Sequence, residues 1–292
     1  MNINDFVSDK QKAEMPKIWS QMEKHFGSLG KAYFDVLFAT ACWLKALNVR
    51  ANKDKFFIGI SGGQGSGKST FSNLLSLVFT ELFDLKTLVM SLDDFYLTHD
   101  ERQVLAKTVH PLLKTRGVPG THDIPLMGKV MGGISHNKEV HMPAFDKSDD
   151  DRCAMTKVRC DDVKIIIVEG WCWGAEPESD TSVPLNQLER EQDADGLWRG
   201  YVNQQLANYQ DLFRTDTSIF LSIPSMSSVL EWRWQQESEL GQGSKNMTKE
   251  DIEYFVMHYE RLTRHMLQSM PGKVDLTLYL DKDHHFDKAI LE

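Results

Sequence analysis

The chain has 292 residues, of which 41% are hydrophobic and 26% are charged, ordinary values for a well-packed protein. Its net charge of −9 argues against a general nucleic-acid binder, which usually carries a basic surface. No stretch has the roughly 18 uninterrupted apolar residues of a membrane span, because even residues 33–49 include Asp35 and Lys45. The acidic N-terminus does not match a signal peptide, and four cysteines without CxxC spacing favour reduced thiols. We therefore expect a cytoplasmic protein with no nucleic-acid or membrane partner and no obligate protein partner.

Helical patterns come first along the chain, around residues 18–26 and 33–47. They predict a helical N-terminal extension, residues 1–50, packed on a main domain of residues 51–292. Five short apolar runs follow, at residues 56–60, 87–90, 165–168, 218–223 and 276–280, separated by helical patterns such as 69–83 and 249–270. Such runs are typical of strands covered on both faces. The sequence thus predicts an α/β fold with a mostly parallel, doubly wound, five-stranded sheet and helices on both faces.

Two regions between these elements are unusual. Residues 94–162 are long for a connection between strands, which indicates a functional insertion that we interpret as substrate-binding. Residues 241–244, Gly-Gln-Gly-Ser, interrupt the helical patterns within residues 230–250. We interpret this second region as a lid.

A phosphate-binding loop follows the first predicted strand. Residues 62–69 match the pattern GxxxxGK[ST] at every fixed position, and a helical pattern begins at Ser69. Glycines let consecutive N–H groups surround phosphate oxygens, Lys68 supplies a charge near the β- and γ-phosphates, and the Ser69 hydroxyl can reach Mg²⁺. The predicted nucleotide-binding residues are Gly62, Gly63, Gln64, Gly65, Ser66, Gly67, Lys68, Ser69 and Thr70.

Acidic residues follow two other predicted strands. Asp93 comes after the second strand and Glu169 after the third, at the sheet edge where α/β proteins bind ligands. Either carboxylate could hold Mg²⁺ together with Ser69, or accept a proton from an attacking hydroxyl. The neighbouring Asp94 is better explained as a turn residue or helix cap.

Several motifs carry a resemblance to a known family. They are the Asp-x-Phe-Tyr segment at 93–96, the segment His-Pro-Leu-Leu-Lys-Thr-Arg-Gly-Val-Pro-Gly-Thr-His-Asp at 110–123, and shorter motifs at 145–148, 169–172 and 198–203. Together they resemble the P-loop D-glycerate 3-kinases of plants and fungi and their bacterial relatives. These enzymes belong to the superfamily of uridine kinase, phosphoribulokinase and pantothenate kinase. The resemblance implies ATP and Mg²⁺ as cofactors, D-glycerate as acceptor, Asp93 as the base and Glu169 as the acid associated with Mg²⁺.

The 94–162 segment contains groups suited to a small hydroxy acid. Arg116 could pair with a carboxylate, and Asp123 could accept hydrogen bonds from hydroxyls. A loop-fixing ion pair is the alternative for Arg116 and Asp123, and a structural imidazole is the alternative for His122, the third candidate. Lys147 and Arg152 could neutralise phosphate or carboxylate, or could flank a solvated run of acids.

Two further cations lie near the predicted lid. Arg233 is the candidate to reach the transferring phosphate when the lid closes. Arg261, on the long helical pattern after the lid, is a candidate for substrate binding.

These residues predict an ATP- and Mg²⁺-dependent kinase for a small molecule, with Lys68, Asp93, Glu169 and Arg233 as its catalytic residues. D-glycerate rests on the resemblance alone. A kinase for another small alcohol, such as a nucleoside, pantothenate or a different sugar acid, stays open, and so does a regulatory P-loop ATPase.

Overall fold

The N-terminal residues form helices that join the main hydrophobic core. The computed structural model describes residues 2–239 and 247–292. A short 3-10 helix, Ile3–Phe6, precedes α1 (Asp9–Phe26) and α2 (Gly30–Ala51). Aromatic side chains of both helices pack in or against the cluster that covers one face of the sheet, among them Trp19, Phe26, Phe34 and Phe38. α1 begins before the predicted pattern, in a mostly polar stretch without apolar periodicity, and α2 extends beyond its pattern at both ends.

Strands and helices alternate through the rest of the chain. In chain order these elements are β1 (Phe56–Gly62), α3 (Lys68–Phe83), β2 (Thr87–Ser91), α4 (His99–Thr108), α5 (Ile124–Ser135), β3 (Val140–Met142), β4 (Phe145–Asp146), β5 (Asp151–Arg152), β6 (Thr156–Val158), β7 (Ile165–Gly170), α6 (Gln187–Gln192), α7 (Leu197–Asn208), β8 (Thr217–Ser222), α8 (Met226–Glu239), α9 (Lys249–Ser269), β9 (Leu276–Leu280) and β10 (Phe286–Leu291).

The central sheet has the order β10-β9-β8-β1-β7-β2. Every neighbouring pair is parallel except β9 and β10, which are antiparallel. The mostly parallel α/β architecture predicted from the sequence is confirmed, and its strand count is corrected from five to six. The additional strand, β10, lies at the edge and is half-exposed, with charged residues in its sequence Phe-Asp-Lys-Ala-Ile-Leu, so it lacks the continuous apolar run of the others.

Strand β7 shows why helices cover both faces of this sheet. Successive side chains of a strand point to opposite faces. Ile165 and Ile167 belong to the core cluster shared with α1, α2 and α3, whereas Ile166 and Val168 belong to a second cluster formed with α5, α7 and α9. Both faces of the strand are therefore buried, as its continuous apolar sequence predicts.

The segment between β2 and β7 adds structure at the edge of the fold. Short 3-10 helices, Leu92–Phe95 and Pro111–Lys114, accompany α4 and α5. Two small antiparallel pairs, β3 with β6 and β4 with β5, complete it. The short pair β4–β5 carries side chains toward the carboxyl ends of the central strands, as described below.

The predicted lid lies partly outside the described residues. α8 and α9 flank the region, but the predicted break at residues 241–244 falls between the two described ranges. The Trp232 indole on α8 donates a hydrogen bond to the Lys282 carbonyl at 2.8 Å, which ties α8 to the turn between β9 and β10. Among the described residues, no helix combines the length and the apolar character needed to span a membrane.

Candidate active site

Residues 62–69, the phosphate loop, connect β1 to α3. Gly67, with φ +78°, is the N-cap of α3, and no side chain among the described residues caps the first turn. Its N–H groups are therefore open to an anion at the positive end of the helix. Gly65 also has a positive φ of +79°, and a Cβ there would lie 2.9 Å from Cβ of Trp232. The loop thus combines tight glycine turns with a free helix N-terminus, as the motif predicts.

Ser69 and Glu169 meet beside this loop. The Ser69 hydroxyl donates a 2.8 Å hydrogen bond to Oε1 of Glu169. Glu169 lies in β7 opposite Ile60 of β1 and is only 3% exposed. Its Oε2 is buried and has no hydrogen-bond partner among the described residues. A buried carboxylate oxygen without a partner is costly, so this atom is poised for a ligand.

Asp93 lies at the same edge, directly after β2. It accepts hydrogen bonds from the Tyr96 hydroxyl at 2.7 Å and from the Lys147 ammonium at 2.8 Å. Burial raises the pKa of the Asp93 carboxyl, but the charges of Lys147 and Lys68 and these hydrogen bonds outweigh it and hold the pKa at about 2. Asp93 is therefore ionised near neutral pH. The sequence offered Lys147 as a cation for phosphate or carboxylate, and in the structure it pairs with Asp93.

The 115–123 loop packs against the segment that carries Asp93. The Asp123 amide donates to the Phe95 carbonyl at 2.7 Å, and the ring of His122 lies 4.8 Å from that of Tyr96. Burial lowers the pKa of His122 to about 4, although Asp93 opposes the shift, so its imidazole is neutral near pH 7. Nδ1 of His122 lies 3.0 Å from the Tyr209 hydroxyl. Nε2 is buried and unpartnered among the described residues.

Arg116 is held at one edge of its guanidinium. Its Nη1 pairs with Oδ1 of Asp150, and its guanidinium carbon lies 5.3 Å from the centre of the Phe145 ring. The other oxygen of Asp150 pairs at 3.0 Å with Arg102, whose side chain is 1% exposed. The buried Arg102 therefore holds Asp150 in position. The Arg116 side chain is 26% exposed, and among the described residues no partner is recorded for its Nε or Nη2.

Asp123 and Arg152 pair with each other and have structural contacts. Oδ1 of Asp123 caps α5 by accepting from the Leu126 amide at 3.0 Å, and Oδ2 accepts from Arg152 at 3.3 Å. Arg152 also donates to the Tyr96 carbonyl at 2.9 Å. The sequence allowed that Arg116 and Asp123 serve in ion pairs that fix the loop. Each of them does have an ionic partner, but Arg116 pairs with Asp150 and Asp123 pairs with Arg152.

Arg233 and Arg261 differ in their surroundings. Arg233 pairs with Glu237 on its own helix, and its Nε is buried without a partner among the described residues. Arg261 binds the buried carboxylate of Glu189 at 2.7 Å, Glu178 at 3.3 Å and the Val183 carbonyl at 2.6 Å. The structure thus does not bring Arg261 to the residues around Asp93, and its donors serve a structural network beside α6.

Comparison with known proteins decides the family. No family model matches the sequence. The chain is 35% identical to the uncharacterized kinase mug58 of Schizosaccharomyces pombe over 237 residues, which cover 76% of this chain and 84% of that protein. This chain belongs to the P-loop kinases. The P-loop kinase superfamily predicted from the motifs is therefore confirmed.

Two further proteins are similar to this P-loop kinase. The probable ATP-dependent kinase TDA10 of Saccharomyces cerevisiae is 34% identical over 71% of this chain and 76% of its own length. The solved structure of a D-glycerate 3-kinase from Cryptococcus neoformans superposes with a TM-score of 0.71, at 24% identity, covering 88% of this chain and 99% of that one. At this identity the second likeness establishes a common fold.

Two side chains of the kinase escaped the sequence reasoning. Asp150 was one of a run of three acids, and only its contacts with Arg116 and Arg102 distinguish it. Tyr259 fitted the apolar stripe of α9, yet its hydroxyl donates to the Arg116 carbonyl at 2.8 Å. Neither residue belongs to a local motif, so the sequence pattern does not identify them.

Proposed function

We propose that this kinase transfers the γ-phosphate of ATP to D-glycerate and produces 3-phosphoglycerate. The observation that carries the proposal is the arrangement around Asp93, where an ionised carboxylate lies within reach of Lys147 and next to the 115–123 loop. The motif resemblance and the solved D-glycerate 3-kinase support the choice of acceptor. A cytoplasmic location, expected from the cysteine pattern, stays part of the proposal.

The phosphate loop would bind the nucleotide. N–H groups at the start of α3 would surround the β-phosphate, and Lys68 would neutralise charge between the β- and γ-phosphates. Thr70 lies exposed on the first turn of α3, next to Ser69. In this arrangement the loop mainly supplies position and electrostatic stabilisation, the principal contributions to phosphoryl transfer.

The residues beside the loop fit a magnesium ion. Mg²⁺ prefers oxygen ligands and often binds through one or two carboxylates together with substrate phosphates. The Ser69 hydroxyl, the unpartnered Oε2 of Glu169 and the carboxylate of Asp93 form such a donor set. When bound there, Mg²⁺ would neutralise charge on the phosphates. We assign Ser69 and Glu169 as its principal protein contacts, with Asp93 nearby.

Asp93 would orient the acceptor hydroxyl and take its proton. With a pKa of about 2, its carboxylate is ionised but weakly basic. Such a group accepts the proton only as the bond to phosphorus forms, which suits a loose transition state in which nucleophilic attack is late. Lys147, bound to the same carboxylate, would turn to the transferring phosphate, and Arg233 would add positive charge from the lid.

The acceptor's carboxylate would bind Arg116. Asp150 pairs with Nη1 of Arg116, and among the described residues Nε and Nη2 have no recorded partner, which suits a fork-shaped contact with a carboxylate. The unpartnered Nε2 of His122 could form a hydrogen bond with a hydroxyl group of D-glycerate. The positive charge of Lys147 would lie nearby, on Asp93. The pair of Asp123 and Arg152 would contribute by fixing the loop.

Substitution of Arg116 tests the acceptor class. Arg116→Ala should cost about 2 to 5 kcal/mol of transition-state stabilisation for D-glycerate, because a desolvated charged contact is lost. Arg116→Lys should restore only part of it, since an ammonium lacks the fork. The measurement is kcat/KM for D-glycerate and for glycerol, which should be a poor substrate of the wild type and little affected by the change.

Arg159→Ala provides the matched control. Arg159 lies in the same insertion, is 78% exposed and pairs with Asp161, so its loss should leave both substrates unaffected. An equal fractional loss on D-glycerate and glycerol in Arg116→Ala would reduce Arg116 to a loop-stabilising residue. If the wild type prefers a nucleoside or pantothenate, D-glycerate is not the acceptor. If it only releases phosphate to water, the protein is better explained as a regulatory ATPase.

A further inference from the structure

The turn between β9 and β10 reaches the phosphate loop through His284. Nε2 of His284 lies 2.8 Å from the Gly65 carbonyl oxygen, in the middle of the loop. Because a carbonyl oxygen can only accept, Nε2 must be the donor of this hydrogen bond. The contact thus joins the far end of the chain to the nucleotide-binding segment, across 219 residues of sequence.

This hydrogen bond fixes one end of a peptide group whose other end is also fixed. The Ser66 amide, in the same peptide group as the Gly65 carbonyl, donates to the Gly63 carbonyl at 3.1 Å. A peptide group is planar, so hydrogen bonds at its two opposite ends set its orientation. Gly65 itself has a φ of +79°, a conformation that few other residues adopt. His284 therefore holds the loop where its backbone turns.

Trp232 holds the His284 ring in place. The two rings stack with centroids 4.0 Å apart and an interplanar angle of 29°. The Trp232 indole donates to the Lys282 carbonyl at 2.8 Å, two residues before His284. A Cβ on Gly65 would lie 2.9 Å from Cβ of Trp232, so α8 packs directly against the loop. The imidazole is thus held by a stacked ring as well as by its hydrogen bond.

The turn that carries His284 is held by Asp281. Oδ1 of Asp281 accepts from the amides of Asp283 and His285, each at 2.8 Å. Between these two residues His284 has a left-handed φ of +63°, which is uncommon for a residue other than glycine. A strained backbone persists where its surroundings enforce it, and it is more frequent at functional positions. The turn thus adopts an unfavourable conformation at the residue that contacts the loop.

We infer that His284 is a positioning residue of the nucleotide site, whose Nε2–H holds the Gly65–Ser66 peptide group so that the N–H groups after it can surround phosphate. Preorganisation of this kind lowers the cost of ordering the loop when a ligand binds. The inference concerns the phosphates and goes beyond the proposed function, since it holds for any acceptor.

His284→Phe tests the inference because it removes the donor and keeps a ring to stack on Trp232. His284→Gln is its complement, since the side-chain amide can donate but has no ring. Calorimetric titration measures Kd for inorganic tripolyphosphate and for the non-hydrolysable β,γ-imido analogue of ATP, each with Mg²⁺. We expect both Kd values to rise about tenfold in His284→Phe, the effect of one lost hydrogen bond, and by less than about threefold in His284→Gln.

His284→Asn supplies a second test that does not depend on the ring. Asparagine tolerates a left-handed φ, but its shorter side chain should not reach the Gly65 carbonyl. It should therefore bind both ligands as weakly as His284→Phe. With D-glycerate as the acceptor, either variant should raise KM for ATP about tenfold and leave KM for D-glycerate within about twofold.

His285→Phe is the matched control. His285 is the next residue, its side chain is 71% exposed, and its Nδ1 lies 3.2 Å from Oδ2 of Asp281. The change removes an imidazole contact within the turn and not with the loop. Both Kd values should therefore stay within about twofold of the wild type.

Binding of tripolyphosphate decides the inference. A Kd for tripolyphosphate that is unchanged in His284→Phe and His284→Asn, or a wild type that does not bind it, overturns the inference. A loss confined to the ATP analogue assigns His284 to the nucleoside and also overturns it, as do equal losses in His285→Phe or in His284→Gln. A wild type with the expected binding that does not phosphorylate D-glycerate contradicts the proposed function and leaves the role of His284 standing.

Discussion

Asp93 is subject to opposing influences on its charge. Burial favours its neutral form, whereas Lys147, Lys68 and the Tyr96 hydroxyl favour the carboxylate. Because its pKa of about 2 lies below the ordinary 3.8, the ion pair with Lys147 stabilises the fold fully above pH 4. That contribution is lost as the pH falls through about 2. Across the range where the kinase would work, Asp93 should therefore not titrate.

Removal of Lys147 should make that titration visible. In Lys147→Met the largest lowering influence is gone and burial remains, so the pKa of Asp93 rises and the acid limb of kcat/KM for D-glycerate moves to higher pH. The profile is measured from pH 4 to pH 8. Lys157→Met is the control, since Lys157 lies on β6 and pairs with Glu139 at 3.2 Å. Superimposable profiles for the wild type and Lys147→Met would refute the role of Lys147 in holding the charge on Asp93.

At the scale of elements, the pair β4–β5 brings three side chains to the site. Lys147 binds Asp93, Asp150 binds Arg116, and Arg152 binds Asp123. Asp150 adopts a left-handed φ of +54°, which a short turn between two-residue strands requires. The strands are brief, so these ion pairs and the buried Arg102 hold the pair in place as much as its ladder does.

The helices α1 and α2 make the N-terminal contribution to the core. Phe34 is fully buried and packs edge-on against Phe26, with ring centroids 5.2 Å apart. Phe34→Ala should lower the free energy of unfolding by about 3 to 5 kcal/mol, as large cavities in a core do. Denaturant unfolding measures the loss. Because Phe34 belongs to the core cluster and is not among the candidate site residues, kcat of the folded variant should be unchanged.

Val49→Ala is the control for that prediction. Val49 lies on the same helix but is 69% exposed, so its truncation should change the free energy of unfolding by less than about 0.5 kcal/mol. If the two variants unfold alike, α2 is not part of the core. If Phe34→Ala alters kcat, residues 1–50 take part in the reaction.

For the whole molecule, local sequence patterns were enough to predict most of the fold. The five apolar runs became strands because apolar side chains pack on both faces of each, including β2, which lies at the other sheet edge and is only partly buried. The phosphate loop is recognisable since its backbone geometry requires glycines at fixed spacing. The edge strand β10 escaped because half-exposed residues show no such run. Its partner β9 and a five-residue turn define it by pairing, which depends on the folded sheet.

The site was predictable only in part for a related reason. Ser69 follows from the phosphate-loop motif. Asp93 and Glu169 follow from strand ends, because parallel neighbours align those ends at one edge. Asp150 and Tyr259 contact Arg116 across 34 and 143 residues of sequence, and Arg261 binds Glu189, 72 residues away. Such contacts depend on packing between elements, which composition and spacing do not encode.

We propose above all that the phosphate loop and Asp93 act together to phosphorylate D-glycerate. The most direct measurement is ³¹P NMR of the wild-type kinase with ATP, Mg²⁺ and D-glycerate, alongside Lys68→Ala as the inactive control. We predict that 3-phosphoglycerate appears in step with ADP in the wild type and is absent in Lys68→Ala. Inorganic phosphate formed at the same rate with and without D-glycerate, or phosphate on a different hydroxyl, would contradict the account.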